Sequence, residues 1–475
     1  MARVEPRPGG AGPRPGLDAA LRRFARFVFG LVFREVELVG AERMPANGPA
    51  IVIANHSNSI IDGGVLLAHL PRVPRFLAAS TVWDYKPVAP FMNASGSVKV
   101  FRQQDGRAHE GSLEDSFAEA AALLADGGVL AVFPEGRTHD DPALLPFKTG
   151  AARIAVFTQA RHGPLDLPVV PLGIDYEVKN LFRTRVCLSF GAPVWPGSTG
   201  APGPPRDTGR DTDGVRAATA ELRHALGAVA PDFADREEAE TLTLAAEIRA
   251  LHPADAPGRA PKFSRILAAR DEMQAALASA GTEAAEATGA AQGARETRAA
   301  LADYRRALAQ TGLSDHEVAA RAGRGALLRS ALALAAGLPV ALIAVLFNLP
   351  QALVLRTVSR TKERDRQMTW MTFGGIVLFP LTWTLWAGIL GLVAGTSLGA
   401  GWGWAVAGAT LVAAPLSARL ALPTIDRAGR IARGLRARRL FRRDAGLGAR
   451  LTDSRARARA ALEALVGGAP PRGPV

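Results

Sequence analysis

From Phe373 to Leu398 the chain carries no charged residue, and a second uncharged stretch runs from Trp404 to Ala418. The first stretch, with Trp383 and Trp386 inside it, is long enough to cross a bilayer. In lipid only a helix or a closed barrel satisfies its own backbone N–H and C=O groups. Gly399-Ala400-Gly401-Trp402-Gly403 links the two stretches, so they read as a transmembrane hairpin. A third uncharged stretch, Ser330 to Leu355, is interrupted by Pro339 and Pro350. It reads as a kinked span or, the reading preferred here, as a re-entrant segment that returns to its starting face.

Charge sets the orientation expected of the hairpin. Arg356, Arg360, Lys362, Arg364 and Arg366 precede it, and the segment from Arg419 onward carries 14 arginines, much of the chain's net charge of +13. Both flanks are therefore expected on the cytoplasmic side of a cell membrane, where they meet anionic lipid headgroups. The N-terminal half shares that side if Ser330–Leu355 re-enters. A nucleic-acid partner is not expected, because almost no aromatic residue stands among these arginines to stack on bases.

Chemistry concentrates before residue 175. The apolar run Ala50-Ile51-Val52-Ile53-Ala54 has the length and β-branching of a buried strand, and Asn55-His56-Ser57-Asn58-Ser59-Ile60-Ile61-Asp62 follows it. A histidine at a strand exit can take a proton from a hydroxyl, and a carboxylate can orient its ring. Residues six apart do not face each other on a helix, so His56 and Asp62 need a turn between strand and helix, which Ser57, Asn58 and Ser59 favour. Three further polar clusters follow apolar strands: Val98-Lys99-Val100-Phe101-Arg102, Val129 to Thr138 with Pro134-Glu135-Gly136-Arg137, and Leu145-Pro146-Phe147-Lys148. The strand Pro168-Val169-Val170-Pro171-Leu172-Gly173 comes next. Such clusters gather at one edge of an α/β sheet, where Arg102, Arg137 and Lys148 can together hold a phosphate and Gly136 lets backbone approach a ligand.

These blocks, in this order, resemble the glycerol-phosphate and lysophospholipid acyltransferases over roughly residues 20 to 200. The resemblance implies an α/β catalytic domain, a mixed sheet flanked by helices. It implies that His56 is the general base and Asp62 its partner. It further implies that Arg102, Glu135, Gly136 and Arg137 shape the glycerol-phosphate site, that Pro171 is the fourth-block proline, and that Asn55 is structural near the site. Five residues separate His56 from Asp62 where four are commoner. The longer spacing is similar to the branch acting on glycerol 3-phosphate or dihydroxyacetone phosphate. It is also the one feature that favours an alternative, a catalytically silent lipid-binding or scaffold protein. The implied partners are an acyl donor (acyl-CoA, acyl carrier protein or acyl phosphate), a glycerol-phosphate acceptor and the bilayer. No cofactor is implied, and no cluster with metal-ligand spacing is present. The single cysteine, Cys187, sits in an apolar strand and excludes an intramolecular disulfide.

The expected organisation runs from a Pro/Gly/Arg-rich disordered stretch at 1–16, through an amphipathic interfacial helix at 17–35, to the catalytic domain at 36–195. In that helix Leu17, Leu21, Phe24, Val28 and Leu31 recur at helical spacing. A linker at 196–213 leads to a helical region at 214–325. The membrane region spans 326–418, and the basic tail covers 419–475.

Overall fold

The computed structural model describes residues 14–86, 88–102, 106, 110–196, 213–251, 261–280, 290–319 and 324–466. The expected disordered N-terminus and the 196–213 linker fall almost wholly outside these residues. The chain divides into two units, one of residues up to Phe233 with Val358–Gly374, the other of Ala234–Thr357 with Gly375 onward.

The first unit is built on a seven-stranded sheet. Its elements are α1 (Pro15–Val32), β1 (Phe33–Val39), β2 (Ala50–Ala54), α2 (Ile60–His69), β3 (Pro74–Ala79), α3 (Ala89–Ala94), β4 (Val98–Val100), α4 (Leu113–Ala125), β5 (Val129–Val132), α5 (Gly150–His162), β6 (Val169–Tyr176), β7 (Thr184–Phe190) and α6 (Asp213–Gly227). The strand order is β1-β7-β6-β2-β5-β3-β4, parallel throughout except for the antiparallel β6–β7 pair. Parallel strands covered on both faces must be apolar all along, and every residue of β2 and β5 is buried. Local chemistry starts the helices: α4 opens on a reciprocal capping box between Ser112 and Asp115.

Helix α6 belongs to this unit, which corrects the expected domain border. Val215, Ala218, Leu222 and Leu226 enter the same core as β2, β5, α4 and α5. The turn after α6 lies directly on β6, where a Cβ added at Gly173 would stand 1.9 Å from the Val229 carbonyl oxygen. Backbone cannot yield as a side-chain tip can. We expect Gly173→Ala to cost about 3 kcal/mol of stability, read as a lowered Tm of the detergent-solubilised protein.

Helix α1 is apolar on two faces, where the sequence suggested a single stripe. Ala25, Val28, Phe29 and Val32 are buried, and Phe29 packs where Gly64 of α2 has no side chain. Leu17, Phe24 and Phe27 remain exposed. Arg22 and Arg26 donate to the carbonyls of Leu70 and Ala68 at the end of α2, and Arg75 grips Asp18 with two hydrogen bonds. His69, in the last turn of α2, is held down to about 4 by burial, with Arg26 and then Arg22 adding to the effect. The unfolded chain takes up this proton as pH falls below about 6.5, but the folded chain does so only near 4. Stability is thus full above that window and falls through it, by about 2 kcal/mol after allowing for partial exposure. Melting curves from pH 7 to pH 4 should show this loss, and His69→Gln should flatten it.

The rest of the chain is helical: α7 (Arg236–Ala250), α8 (Phe263–Ser279), α9 (Ala290–Thr311), α10 (Asp315–Ala319), α11 (Arg324–Arg360), α12 (Arg364–Leu398), α13 (Ala400–Arg443) and α14 (Ala445–Val466). Segments Ala331–Arg360, Arg366–Leu398 and Ala400–Arg443 are long and apolar enough to cross a membrane. Two boundaries differ from the sequence reading. Ser330–Leu355 is part of one continuous helix, with no turn joining two halves, and the basic tail begins as an extension of α13. Side-chain amides support α11 around Pro350: Asn348 donates to the Ala344 carbonyl at 2.9 Å and Gln351 to that of Phe347.

Away from the apolar helices, α7, α8, α9 and α14 pack as a bundle. Asp315 is fully buried and accepts the Tyr304 hydroxyl at 2.9 Å and the Arg455 guanidinium at 2.7 Å. The Thr297 hydroxyl reaches the Ala461 carbonyl at 3.2 Å.

Candidate active site

Strand β2 lies between β5 and β6, and its exit is the centre of the site. The Asn55 side chain extends the β2–β6 pairing: its Nδ2 donates to the Ile174 carbonyl at 3.1 Å and its Oδ1 accepts the Ile174 N–H at 2.7 Å. The chain then turns through Ser57, Asn58 and Ser59 into α2, which brings Asp62 back beneath His56. Ser59 adopts φ 51°, a left-handed conformation rare for a side-chain-bearing residue, just before the first turn of α2. That turn accommodates the longer His–Asp spacing, and His56 Nδ1 lies 2.9 Å from Asp62 Oδ2.

Asp62 is fully buried and surrounded by donors. Oδ2 accepts the Asn58 N–H at 2.8 Å as well as His56, and Oδ1 accepts the Tyr176 hydroxyl at 2.6 Å. A carboxylate only accepts, so the proton of a neutral His56 sits on Nδ1 and Nε2 keeps its lone pair. The His56 side chain is 19% exposed, and its ring stacks on Phe133 with centroids 4.1 Å apart. Burial, the adjacent Asp62 charge and the hydrogen bond to Asp62 push the Tyr176 phenol well above its usual value. Tyr176 therefore stays a donor across the physiological range.

The loop after β5 supplies the second wall. Gly136 turns at φ 70°, donating its N–H to the Phe133 carbonyl at 3.0 Å. The Lys148 N–H donates to the Pro134 carbonyl at 2.7 Å, which sets the Lys148 stem beside Gly136. Arg102, two residues past the end of β4, reaches the Gly136 carbonyl at 3.5 Å. Arg102 and Lys148 thus converge on Gly136, and Arg137 is exposed next to it in the chain.

Residues 35–175 match the family model described as Acyltransferase. An uncharacterized acyltransferase of Schizosaccharomyces pombe is 25% identical over 34% of this chain and 36% of its own length. Glycerol-3-phosphate O-acyltransferase 2 of Saccharomyces cerevisiae is 38% identical over 17% of this chain and 11% of its own length. Residues 35–175 are thus similar to acyltransferases, with named glycerol-3-phosphate O-acyltransferases among the relatives matched. The chain spans well under two thirds of either relative. The crystal structure of the 1-acyl-sn-glycerophosphate acyltransferase of Thermotoga maritima is 22% identical and covers 44% of this chain and 78% of that one. Its TM-score of 0.32 is too low to add to the assignment.

Within residues 35–175, sequence and geometry part at one residue, Glu135. The Glu135 side chain is wholly buried, and its oxygens accept the His56 N–H at 2.8 Å, the Leu145 N–H at 2.8 Å and His139 Nε2. It faces protein, whereas the resemblance put it among the residues that shape the substrate site. Pro171 stands inside β6, opposite Ile53 of β2, with the strand continuing to Tyr176. Three groups at the site escaped the sequence reading: the Asn58 N–H, Tyr176 and His139. The chain has only three tyrosines, yet nothing local tells which of them reaches Asp62. Among the described residues no group of three or more His, Cys, Asp or Glu side chains is placed to hold a metal ion.

Proposed function

We propose that this protein transfers a fatty acyl group from an activated donor to a hydroxyl of glycerol 3-phosphate, dihydroxyacetone phosphate or 1-acylglycerol 3-phosphate, with His56 as general base. The observation that carries the reading is His56 itself. Its Nδ1 is held by a buried carboxylate while Nε2 is left as a base, in a site whose other wall is cationic. Nε2 takes the proton of the acceptor hydroxyl as its oxygen attacks the acyl carbonyl. The tetrahedral intermediate collapses, the C–S or C–O bond to the donor breaks, and the imidazolium returns the proton to the leaving group. Asp62 fixes the ring and stabilises its charged form, as in a triad whose nucleophile comes from the substrate. Arg102, Arg137 and Lys148 hold the acceptor's phosphate by charge-assisted hydrogen bonds.

The same reading puts the catalytic segment on the cytoplasmic face. Contacts inside the helical unit support two crossings with α11 as a bent, re-entrant helix. Gly391 and Gly395 of α12 pack against Gly403 of α13, an approach that only small residues allow. At about 1.5 Å per residue, Gly375 and Thr424 each lie about 30 Å from that contact, at a common depth. Helix α11 touches both, with Leu355 near Gly375 and Gly337 against Thr424, while Asn348 accepts the Trp383 N–H at 2.9 Å, deeper in. Gly337 and Leu355 of α11 thus touch the hairpin at similar distances from its turn, which favours re-entry over a full crossing. The α9–α14 contacts agree, since they join chain before and after the apolar helices in one bundle. The basic residues between α11 and α12 and along the tail then face the cytoplasm.

The test incubates membranes carrying the wild-type protein, or His56→Ala, with labelled acyl-CoA and each acceptor in turn. Histidine-dependent product from one acceptor is the expected result and names the step. Product that survives the substitution would refute the general-base reading.

A further inference from the structure

His56 is held by more than its ring. Its own peptide groups are gripped from both sides by the loop after β5: Glu135 Oε1 accepts the His56 N–H at 2.8 Å, and the His139 N–H donates to the His56 carbonyl at 3.3 Å. Glu135 and His139 are one helical turn's spacing apart in the chain and are joined directly, His139 Nε2 to Glu135 Oε2. The Glu135 carboxylate only accepts, so His139 Nε2 carries the proton it shares with Glu135, while Nδ1 faces the Asp141 N–H at 3.2 Å and the Asp141 carboxylate at 3.6 Å. The same Oε2 accepts the Leu145 N–H at 2.8 Å, which closes the loop that carries Gly136 and leads to Lys148. Both side chains are nearly inaccessible, at 8% for His139 and 0% for Glu135.

We propose that Glu135 and His139 form a second acid–histidine pair that contacts no substrate and positions the His56 main chain. His139 is then a positioning residue, acting on His56 through Glu135 and through its own backbone N–H. The physical reason is reach. A general base must meet the acceptor hydroxyl within hydrogen-bond distance, and a displacement of about 1 Å can cost about a hundredfold in rate. The Asp62 bond fixes how the ring points, but only a clamp on the peptide fixes where the ring starts. Three N–H donors share the charge of buried Glu135, and losing the His139 donor loosens the remaining bonds.

This inference rests on His56 being the general base, so His56→Ala is measured in parallel. The experiment follows kcat and the acceptor KM for the full-length protein in membranes, together with hydrogen exchange of its peptides covering residues 54–60. His139→Ala should lower kcat at least tenfold, keep the acceptor KM within twofold and speed exchange across residues 55–59. His139→Gln, whose amide still donates to Glu135, should restore kcat to within threefold. Glu135→Gln should also lower kcat with KM held. A fivefold rise in acceptor KM at unchanged kcat, in either the Glu135 or the His139 variant, would mean that the pair touches the acceptor and would overturn the proposal. So would a wild-type kcat in His139→Ala, or a Gln variant as impaired as the Ala one. If His139→Ala does not fold, His139→Gln decides alone: near-normal kcat and exchange uphold the clamp, and a tenfold loss rejects it. Activity retained in His56→Ala would overturn the functional reading and this one together. An inactive His56→Ala beside a wild-type-like His139→Ala would overturn this one only.

Discussion

Replacing His56 with alanine is expected to lower kcat for acyl transfer by about a thousandfold while changing the acceptor KM little. The size follows from what is removed. The substrate brings its own nucleophile, so without Nε2 a hydroxyl must attack with its proton still attached. The KM should hold because the phosphate is assigned to Arg102, Arg137 and Lys148 rather than to His56. Initial rates against acceptor concentration separate the two. A raised KM with normal kcat would make His56 a binding residue.

Asp62→Ala is expected to cost nearly as much, about a thousandfold in kcat, whereas Asp62→Asn should cost only about tenfold to a hundredfold. The difference lies in how the donors are shared. One oxygen, Oδ2, takes both His56 Nδ1 and the Asn58 N–H, while the other faces only the Tyr176 hydroxyl. An asparagine can keep its carbonyl at the first position and present its amide to Tyr176, whose hydroxyl turns to accept. The His56 tautomer then survives and only the charge that stabilises the imidazolium is lost. Alanine removes both and leaves the Asn58 N–H and the Tyr176 hydroxyl buried without an acceptor. Equal losses in the two variants would show that charge alone matters.

Much of the site was legible along the chain because its pieces are local. An all-apolar β2 announces a central parallel strand, and the residue that follows such a strand falls at the sheet edge, so His56 could be placed before any contact was known. Glu135 shows the limit. Its place in the Pro134-Glu135-Gly136-Arg137 block suggested a residue facing substrate, but the side chain turns inward to three protein donors, a choice made by the path of His56 and Leu145. The α6 border failed for a related reason. Helical spacing shows that Val215, Ala218, Leu222 and Leu226 form a face but not which core receives it.

What the sequence by itself determined were properties of contiguous residues: lengths able to cross a bilayer, strands apolar throughout, a histidine at a strand exit, and an excess of arginine on both flanks of the apolar hairpin. These depend on periodicity and composition, which need no knowledge of neighbours. Tertiary structure alone decided the rest. Antiparallel β7 pairs with β6, parallel β6 lies beside β2 with Leu172 opposite Ala54, and β6 continues until Tyr176 stands over Asp62. Strand order and register are long-range choices, and a hydrogen bond between residues so far apart in the chain exists only once that register is set.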